Sequence, residues 1–220
     1  MKLKKFSIYI FMIAFFWACD TKSEKTIQDI DLNVKTEEET VVKPRRAYTL
    51  ETQSHWLDYY KSENTDFDMS NFKKEDSFKI ERMKTNLTPI WNPEFNPVYK
   101  QFLAFNADST QYIDFDSYKW GFDDKGELII GPDQEIVLVN IPEKKVERLL
   151  FYGPSFWVEE AYFKNDSIVV LLENSSENVP AYQEININQN TSDYYIYESP
   201  LEFHSDYLKR RVMSIYDNPM

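Results

Sequence analysis

The chain lacks most of the residues from which catalytic motifs are built. Among its 220 residues are one cysteine, two histidines and four glycines. A single cysteine excludes an internal disulfide, and so few glycines leave no phosphate-cradling loop of the P-loop or dinucleotide-binding kind. The sequence also contains no G-x-S-x-G nucleophile elbow. No catalytic residue and no cofactor is therefore predicted, and the chain is not expected to be an enzyme.

Metal ligands are equally scarce. Nothing in the sequence brings His55 and His204 together, since each lies alone in a different predicted helix. The segment Asp123-Asp124-Lys125-Gly126-Glu127 is acidic like a calcium loop, but it lacks the alternating ligands of an EF-hand. Asp-Lys-Gly is typical of a hairpin turn. We therefore predict a turn at this segment and no metal site.

Two carboxylate pairs resemble the acid and base of a glycosidase. Asp114 and Asp116 lie two positions apart on a predicted strand and so share a face, and Glu159 and Glu160 precede another predicted strand. Carboxylates exposed at sheet edges are commoner than catalytic pairs, because charges there prevent two sheets from associating by their edges. We interpret these four residues as solvated edge charges.

The only long apolar run lies at the N-terminus. Three lysines among the first five residues precede Phe6–Trp17, which has the length of a secretory signal core and is too short for a stable membrane crossing. The run ends in Phe16-Trp17-Ala18-Cys19, and Cys19 is the one cysteine of the chain. This segment resembles the lipobox of bacterial lipoproteins, in which a small residue precedes a cysteine that becomes the lipidated N-terminus.

The resemblance implies a signal peptide over residues 1–18 and lipidation of Cys19, with acyl chains such as palmitate inserted in the bilayer. An uncleaved membrane anchor and an ordinary secretory signal are the alternatives. The expected location is the cell envelope, at the inner or the outer membrane, facing the periplasm or the cell surface. Envelope lipoproteins of Gram-negative bacteria with tethered β-rich bodies have a similar overall pattern.

Charge and composition describe the chain after Cys19. The net charge is −12, and because residues 1–18 contain three lysines and no acidic residue, the mature chain carries −15. Such a surface repels nucleic acid, so no nucleic-acid partner is predicted. Residues 19–47 are charged and contain no aromatic residue, which predicts a disordered stalk behind the lipidated cysteine.

Residues 48–220 are predicted to form a single β-rich domain. Aromatic residues are frequent there, and two segments, about 99–153 and about 156–199, follow the same plan of four strands joined by two tight polar turns and a central loop. Such a meander resembles a β-propeller blade in pattern. Two blades do not close a ring, so the expected fold is mainly β, with two four-stranded antiparallel units in a sandwich-like or partial-propeller-like arrangement.

Two helices are predicted to flank the strands. Trp56, Leu57, Tyr59 and Tyr60 have helical spacing within residues 53–61. Ser199-Pro200-Leu201-Glu202 is typical of a helix start, which predicts a C-terminal helix over about 200–214 with Lys209, Arg210 and Arg211 late in it. The segment between 62 and 98 is predicted to be irregular, with one strand around 77–84.

One short motif suggests a modification. Asp108-Ser109-Thr110 and Asp166-Ser167-Ile168 resemble an O-glycosylation acceptor of some Gram-negative anaerobes. Both fall at predicted turns, where Asp and Ser are expected in any case, and the turn interpretation is the default.

Three function classes remain open. The first is a membrane-anchored envelope lipoprotein with a non-enzymatic binding or structural β domain, whose partner is an unknown protein or glycan. That class predicts an exposed aromatic patch with a polar rim and no deep polar cleft. The second is an immunity or inhibitor lipoprotein that neutralises a toxin in the periplasm. The third, which the sequence favours least, is a glycan-active enzyme.

Overall fold

Antiparallel strands dominate residues 50–217, the part of the chain that the computed structural model describes. Helix α1 is Leu50–Glu63 and helix α2 is Tyr207–Asp217. Short 3-10 helices occupy Met69–Asn71 and Pro97–Phe102. The strands are β1 (Phe72–Lys79), β2 (Ala104–Phe105), β3 (Gln111–Asp114), β4 (Trp120–Phe122), β5 (Leu128–Ile130), β6 (Gln134–Asn140), β7 (Lys145–Tyr152), β8 (Phe156–Asn165), β9 (Ile168–Ser175), β10 (Ala181–Asn186) and β11 (Thr191–Tyr197).

The two predicted four-stranded units are confirmed. The smaller sheet has the order β2-β3-β6-β7, and the larger sheet has the order β1-β11-β10-β9-β8. The larger sheet is thus a meander of β8 to β11 to which β1 adds a fifth strand beside β11. The predicted strand around 77–84 lies earlier, at 72–79. The long middle loop of the first unit contains a separate hairpin, β4–β5.

The hairpin turns use the residues that the sequence provides for them. Asp123-Asp124-Lys125-Gly126-Glu127 connects β4 to β5, as predicted, with Gly126 at φ 79° and the Asp123 carboxylate accepting from the N–H groups of Lys125 and Glu127. Asn190 has a positive φ in the turn before β11. Asparagine and glycine tolerate this left-handed backbone, which lets short turns join antiparallel strands.

The two sheets share one hydrophobic core. Ile113 and Leu138 of the smaller sheet belong to the same buried cluster as Phe163, Leu171 and Ile185 of the larger sheet. The clustering follows from period-two alternation, which places every second side chain of a strand on the inner face. Gln134 also links the sheets, because its amide nitrogen donates to the carbonyls of Phe115 and Val158 and its oxygen accepts from the Val158 N–H.

The other face of the smaller sheet is covered by the segment that the sequence predicts as irregular. Tyr112, Val137 and Val139 point to this face and form a second cluster with Leu103. Leu87, Ile90, Trp91 and Phe95 pack on that cluster. The prolines of this segment prevent a regular strand, so it covers the sheet as a loop that is fixed by its apolar side chains.

The C-terminal helix begins later than predicted. The helix predicted over 53–61 is present as α1, but α2 starts at Tyr207 rather than near residue 200. The Leu201 N–H donates to the Asn178 carbonyl and the Leu201 side chain is buried, so tertiary contacts hold residues 200–206 outside the helix. Lys209, Arg210 and Arg211 therefore lie in the first half of α2.

The predicted signal peptide (1–18), Cys19 and the stalk (19–47) lie outside the described residues. Within residues 50–217, neither helix combines the length and the apolar composition needed to cross a membrane.

A candidate binding cleft and the buried carboxylates beside it

A cleft lies at one side of the smaller sheet. Its volume is about 430 Å³, within the range of about 300–1,000 Å³ for small-molecule sites. One wall is the loop segment over the smaller sheet, and the opposite wall is the turn after β3 together with the start of β6. The lining residues are Asn86, Leu87, Thr88, Glu94, Phe95, Asn96, Tyr99, Ser117, Tyr118 and Glu135.

Some polar side chains of the cleft are held by the protein itself. Glu135 accepts from Arg148 (Nη1–Oε1 2.9 Å) and from the Thr85 hydroxyl (2.6 Å). The Tyr99 hydroxyl donates to the Trp120 carbonyl at 2.7 Å, and burial raises the Tyr99 pKa. These groups are fixed in place and shape the interior of the cleft.

Besides Tyr118, three polar side chains of the cleft make no hydrogen bond within residues 50–217. They are an amide, a hydroxyl and a carboxylate, from Asn86, Thr88 and Glu94. Asn86 and Glu94 are exposed and Thr88 is half-buried. The cleft therefore presents both donors and acceptors to a molecule that enters it.

An exposed aromatic pair adjoins the cleft. Tyr118 is 52% exposed and Phe151 is 50% exposed, and their rings meet edge to face with centroids 6.2 Å apart. The Arg148 guanidinium lies 5.5 Å from the Phe151 ring centroid, while its Nη1 donates to Glu135 of the cleft. We call Tyr118 and Phe151 the aromatic ridge. Flat rings of this kind bind apolar faces of ligands.

Buried carboxylates fix the turn that carries Tyr118. Asp114 is 1% exposed and accepts from the N–H groups of Asp116 and Ser117 and from the Ser117 hydroxyl. The Asp116 carbonyl accepts from the N–H of Lys119 at 2.9 Å. Burial raises the Asp114 pKa to about 6, against the hydrogen bonds from Ser117, which lower it.

Asp116 connects this turn to the C-terminal helix. Arg211 of α2 donates to both of its carboxylate oxygens, at 3.0 and 2.6 Å, and the Trp120 indole N–H donates to it at 2.7 Å. The side chains of Arg211 and Asp116 are 5% and 1% exposed. A two-point bond between buried charges fixes orientation as well as distance, so α2 and the cleft wall are held together.

Glu159 joins both helices to the larger sheet. The pairing register of β8 shifts between Val158 and Glu160, which turns Glu159 toward the helices. One of its oxygens accepts from Trp56 and Tyr60 of α1 at 2.9 and 2.7 Å. The other accepts from Ser205, which precedes α2, and from Trp157. Burial raises the Glu159 pKa, while these donors lower it.

Glu173 has fewer partners. It lies in β9, 1% exposed, where one oxygen accepts from the Tyr152 hydroxyl and the Gln183 amide, both at 2.8 Å. Burial raises its pKa to about 8, more than these two donors lower it. Glu173 thus favours its protonated form inside the core.

The interpretation of the carboxylate pairs as solvated edge charges is wrong. Asp114, Asp116, Glu159 and Glu160 are all at most 5% exposed. Asp114 is bonded within its own turn. The other three have partners in α1 or α2, which lie far away in the chain, so the local sequence gives no sign of those contacts. None of the four lines the cleft.

The histidines remain apart from these groups. His55 is exposed on α1, and His204 is exposed before α2 rather than within it. Among residues 50–217, no three His, Cys, Asp or Glu side chains are grouped to hold a metal ion. Ser109 and Ser167 lie in the turns before β3 and β9, as the turn interpretation predicts. Both residues are half-buried.

The cleft itself is not predicted by the sequence. One wall is a loop without periodicity, and Glu135 is hidden within the alternating pattern of a strand. The proline punctuation at Pro89, Pro93 and Pro97 is the only signal in the sequence that sets this loop apart.

No protein-family model, no curated protein and no solved structure matches this chain.

Proposed function

We propose that the protein is a membrane-anchored envelope lipoprotein whose β domain binds a ligand without converting it. Cys19 is the proposed lipid attachment site and residues 1–18 the proposed signal peptide, on the lipobox-like sequence Phe16-Trp17-Ala18-Cys19. Two or more acyl chains, at about 0.8 kcal/mol per buried methylene, hold a protein at the bilayer without help from its folded domain. The folded domain is then available for a partner.

The observation that carries the binding function is the cleft with its aromatic ridge. It combines half-exposed rings, Tyr118 and Phe151, with the polar side chains of Asn86, Thr88 and Glu94, which have no partner within the described residues. Apolar surface beside a few convergent polar groups is the usual composition of a binding site.

The partners and positions of the carboxylates favour binding over catalysis. Of the two carboxylates in the cleft, Glu135 is engaged by Arg148 and Thr85. The carboxylates with raised pKa values, Asp114, Glu159 and Glu173, are buried outside the cleft and hold turns, helices and core. A glycosidase-type mechanism requires two carboxylates that face the ligand.

Affinity capture from extracts of the native envelope tests this function. The full-length protein, Tyr118→Ala and Tyr216→Ala are compared. Tyr216 is a matched control, because it is 41% exposed on α2 and does not line the cleft. We expect a molecule that the wild type and Tyr216→Ala retain and that Tyr118→Ala does not. This molecule should have the same mass after release as before capture. Identical molecules on all three proteins, or conversion of the retained molecule, would contradict the proposal.

A further inference from the structure

We infer that the cleft binds a neutral oligosaccharide, with one sugar ring packed on Tyr118 and its hydroxyl groups bonded to Asn86, Thr88 and Glu94. This inference rests on the proposed binding function of the cleft and names its ligand class. It depends on three properties of the cleft: its rings, its polar groups and its charge.

The rings suit the flat C–H face of a sugar. Tyr118 lines the cleft and is 52% exposed, and its edge-to-face contact with Phe151 at 6.2 Å limits its rotation. The turn on which it stands is fixed by Asp114 and Asp116. A ring held in this way offers apolar surface at little cost in side-chain entropy.

The polar groups suit hydroxyls, which both donate and accept. Asn86 offers an amide that does both, Thr88 a hydroxyl that does both, and Glu94 a carboxylate that accepts. None of the three has a hydrogen-bond partner within residues 50–217. Each therefore binds a ligand hydroxyl without breaking a bond inside the described part of the protein.

The charge of the cleft excludes acidic ligands. Its lining contains two carboxylates, Glu94 and Glu135, and no lysine, arginine or histidine. Glu135 is paired with Arg148, which leaves Glu94 as the unbalanced charge. Phosphate, sulfate and carboxylate groups would be repelled, while a neutral polyhydroxyl ligand bonds to Glu94 without an electrostatic penalty.

The test is a binding screen of the full-length protein in a detergent without sugar headgroups. The probes are neutral fragments of glucan, xylan, mannan and chitin, and acidic fragments of pectin and heparin. We expect binding of at least one neutral fragment and of no acidic fragment. The affinity should change little between about 0.05 and 0.5 M salt, because no ion pair forms.

Variants locate the binding. Tyr118→Ala should lower the affinity roughly ten-fold through loss of the stacked ring, Tyr118→Phe should retain it, and Tyr216→Ala should leave it unchanged. Thermal unfolding confirms that each variant is folded. Binding of no neutral fragment, binding of acidic fragments only, or equal affinity in Tyr118→Ala would overturn the inference. If envelope capture still yields a Tyr118-dependent ligand that is not a glycan, the binding function stands and only the ligand class fails.

Discussion

Substitution of Arg211 by methionine removes the buried charge that joins α2 to the wall of the cleft. Methionine has a similar length and is apolar, so the main change is the loss of the guanidinium. Asp116 then keeps the Trp120 indole as a donor but loses both bonds from Arg211. The contact of the guanidinium with the Phe115 ring, at 4.8 Å, is lost as well.

The expected cost follows from burial. Removing one partner of a buried ion pair leaves the other charge uncompensated, at about 3–5 kcal/mol. Arg211 and Asp116 are 5% and 1% exposed in their side chains, so solvent does not replace the lost partner. For a domain of this size the midpoint of thermal unfolding should fall by roughly 6–20 °C.

Urea unfolding followed by tryptophan fluorescence measures this cost. The control is Arg210→Met on the neighbouring residue. Arg210 pairs with Asp206 at 2.7 Å, but the two side chains are 62% and 49% exposed, so the expected loss is below about 1 kcal/mol. If Arg211→Met lowers the free energy of unfolding by no more than Arg210→Met does, the role assigned to the Arg211–Asp116 pair is refuted.

Three further predictions concern the buried carboxylates and the turns. Because the Glu173 pKa is raised to about 8, the free energy of unfolding should fall by up to roughly 4–5 kcal/mol as the pH rises from about 4.5 to 8, and Glu173→Gln should flatten this fall in urea titrations across that range. Glu159→Gln should instead cost about 2–4 kcal/mol in urea at neutral pH, because either orientation of the amide sets its NH₂ group against an indole N–H, of Trp56 or of Trp157. Ser109→Ala and Ser167→Ala should leave the intact mass unchanged apart from the substitution, and loss of a hexose-sized mass would contradict the turn interpretation.

The part of the fold that the sequence predicts is the part set by local pattern. The period-two runs in β6 and β10 and the turn residues beside them give the two meanders, because hairpins form between neighbours in the chain. The start of α2 is predicted wrongly, since Ser199-Pro200 is a good local helix start that the Leu201 bond to Asn178 overrides. At this position the local helix propensity is outweighed by a tertiary contact.

The candidate site depends on contacts that local pattern does not contain. Glu159 meets Trp56 across 103 residues of chain, and Asp116 meets Arg211 across 95. Without these partners, an acidic residue in a turn or a strand is indistinguishable from a surface charge. The loop over the smaller sheet is likewise not predicted by local pattern. Its apolar residues are held by contact with that sheet and do not follow the periodicity of a helix or a strand.

The intact mass of the protein extracted from the membrane of its native host tests the proposed lipid anchor most directly. A chain of residues 19–220 carrying a diacylglyceryl group and a further acyl chain on Cys19 is the expected result, and Cys19→Ser should lack the lipid and leave the membrane fraction. An unmodified chain that retains residues 1–18, together with Cys19→Ser that stays in the membrane, would contradict the lipoprotein proposal and favour an uncleaved anchor.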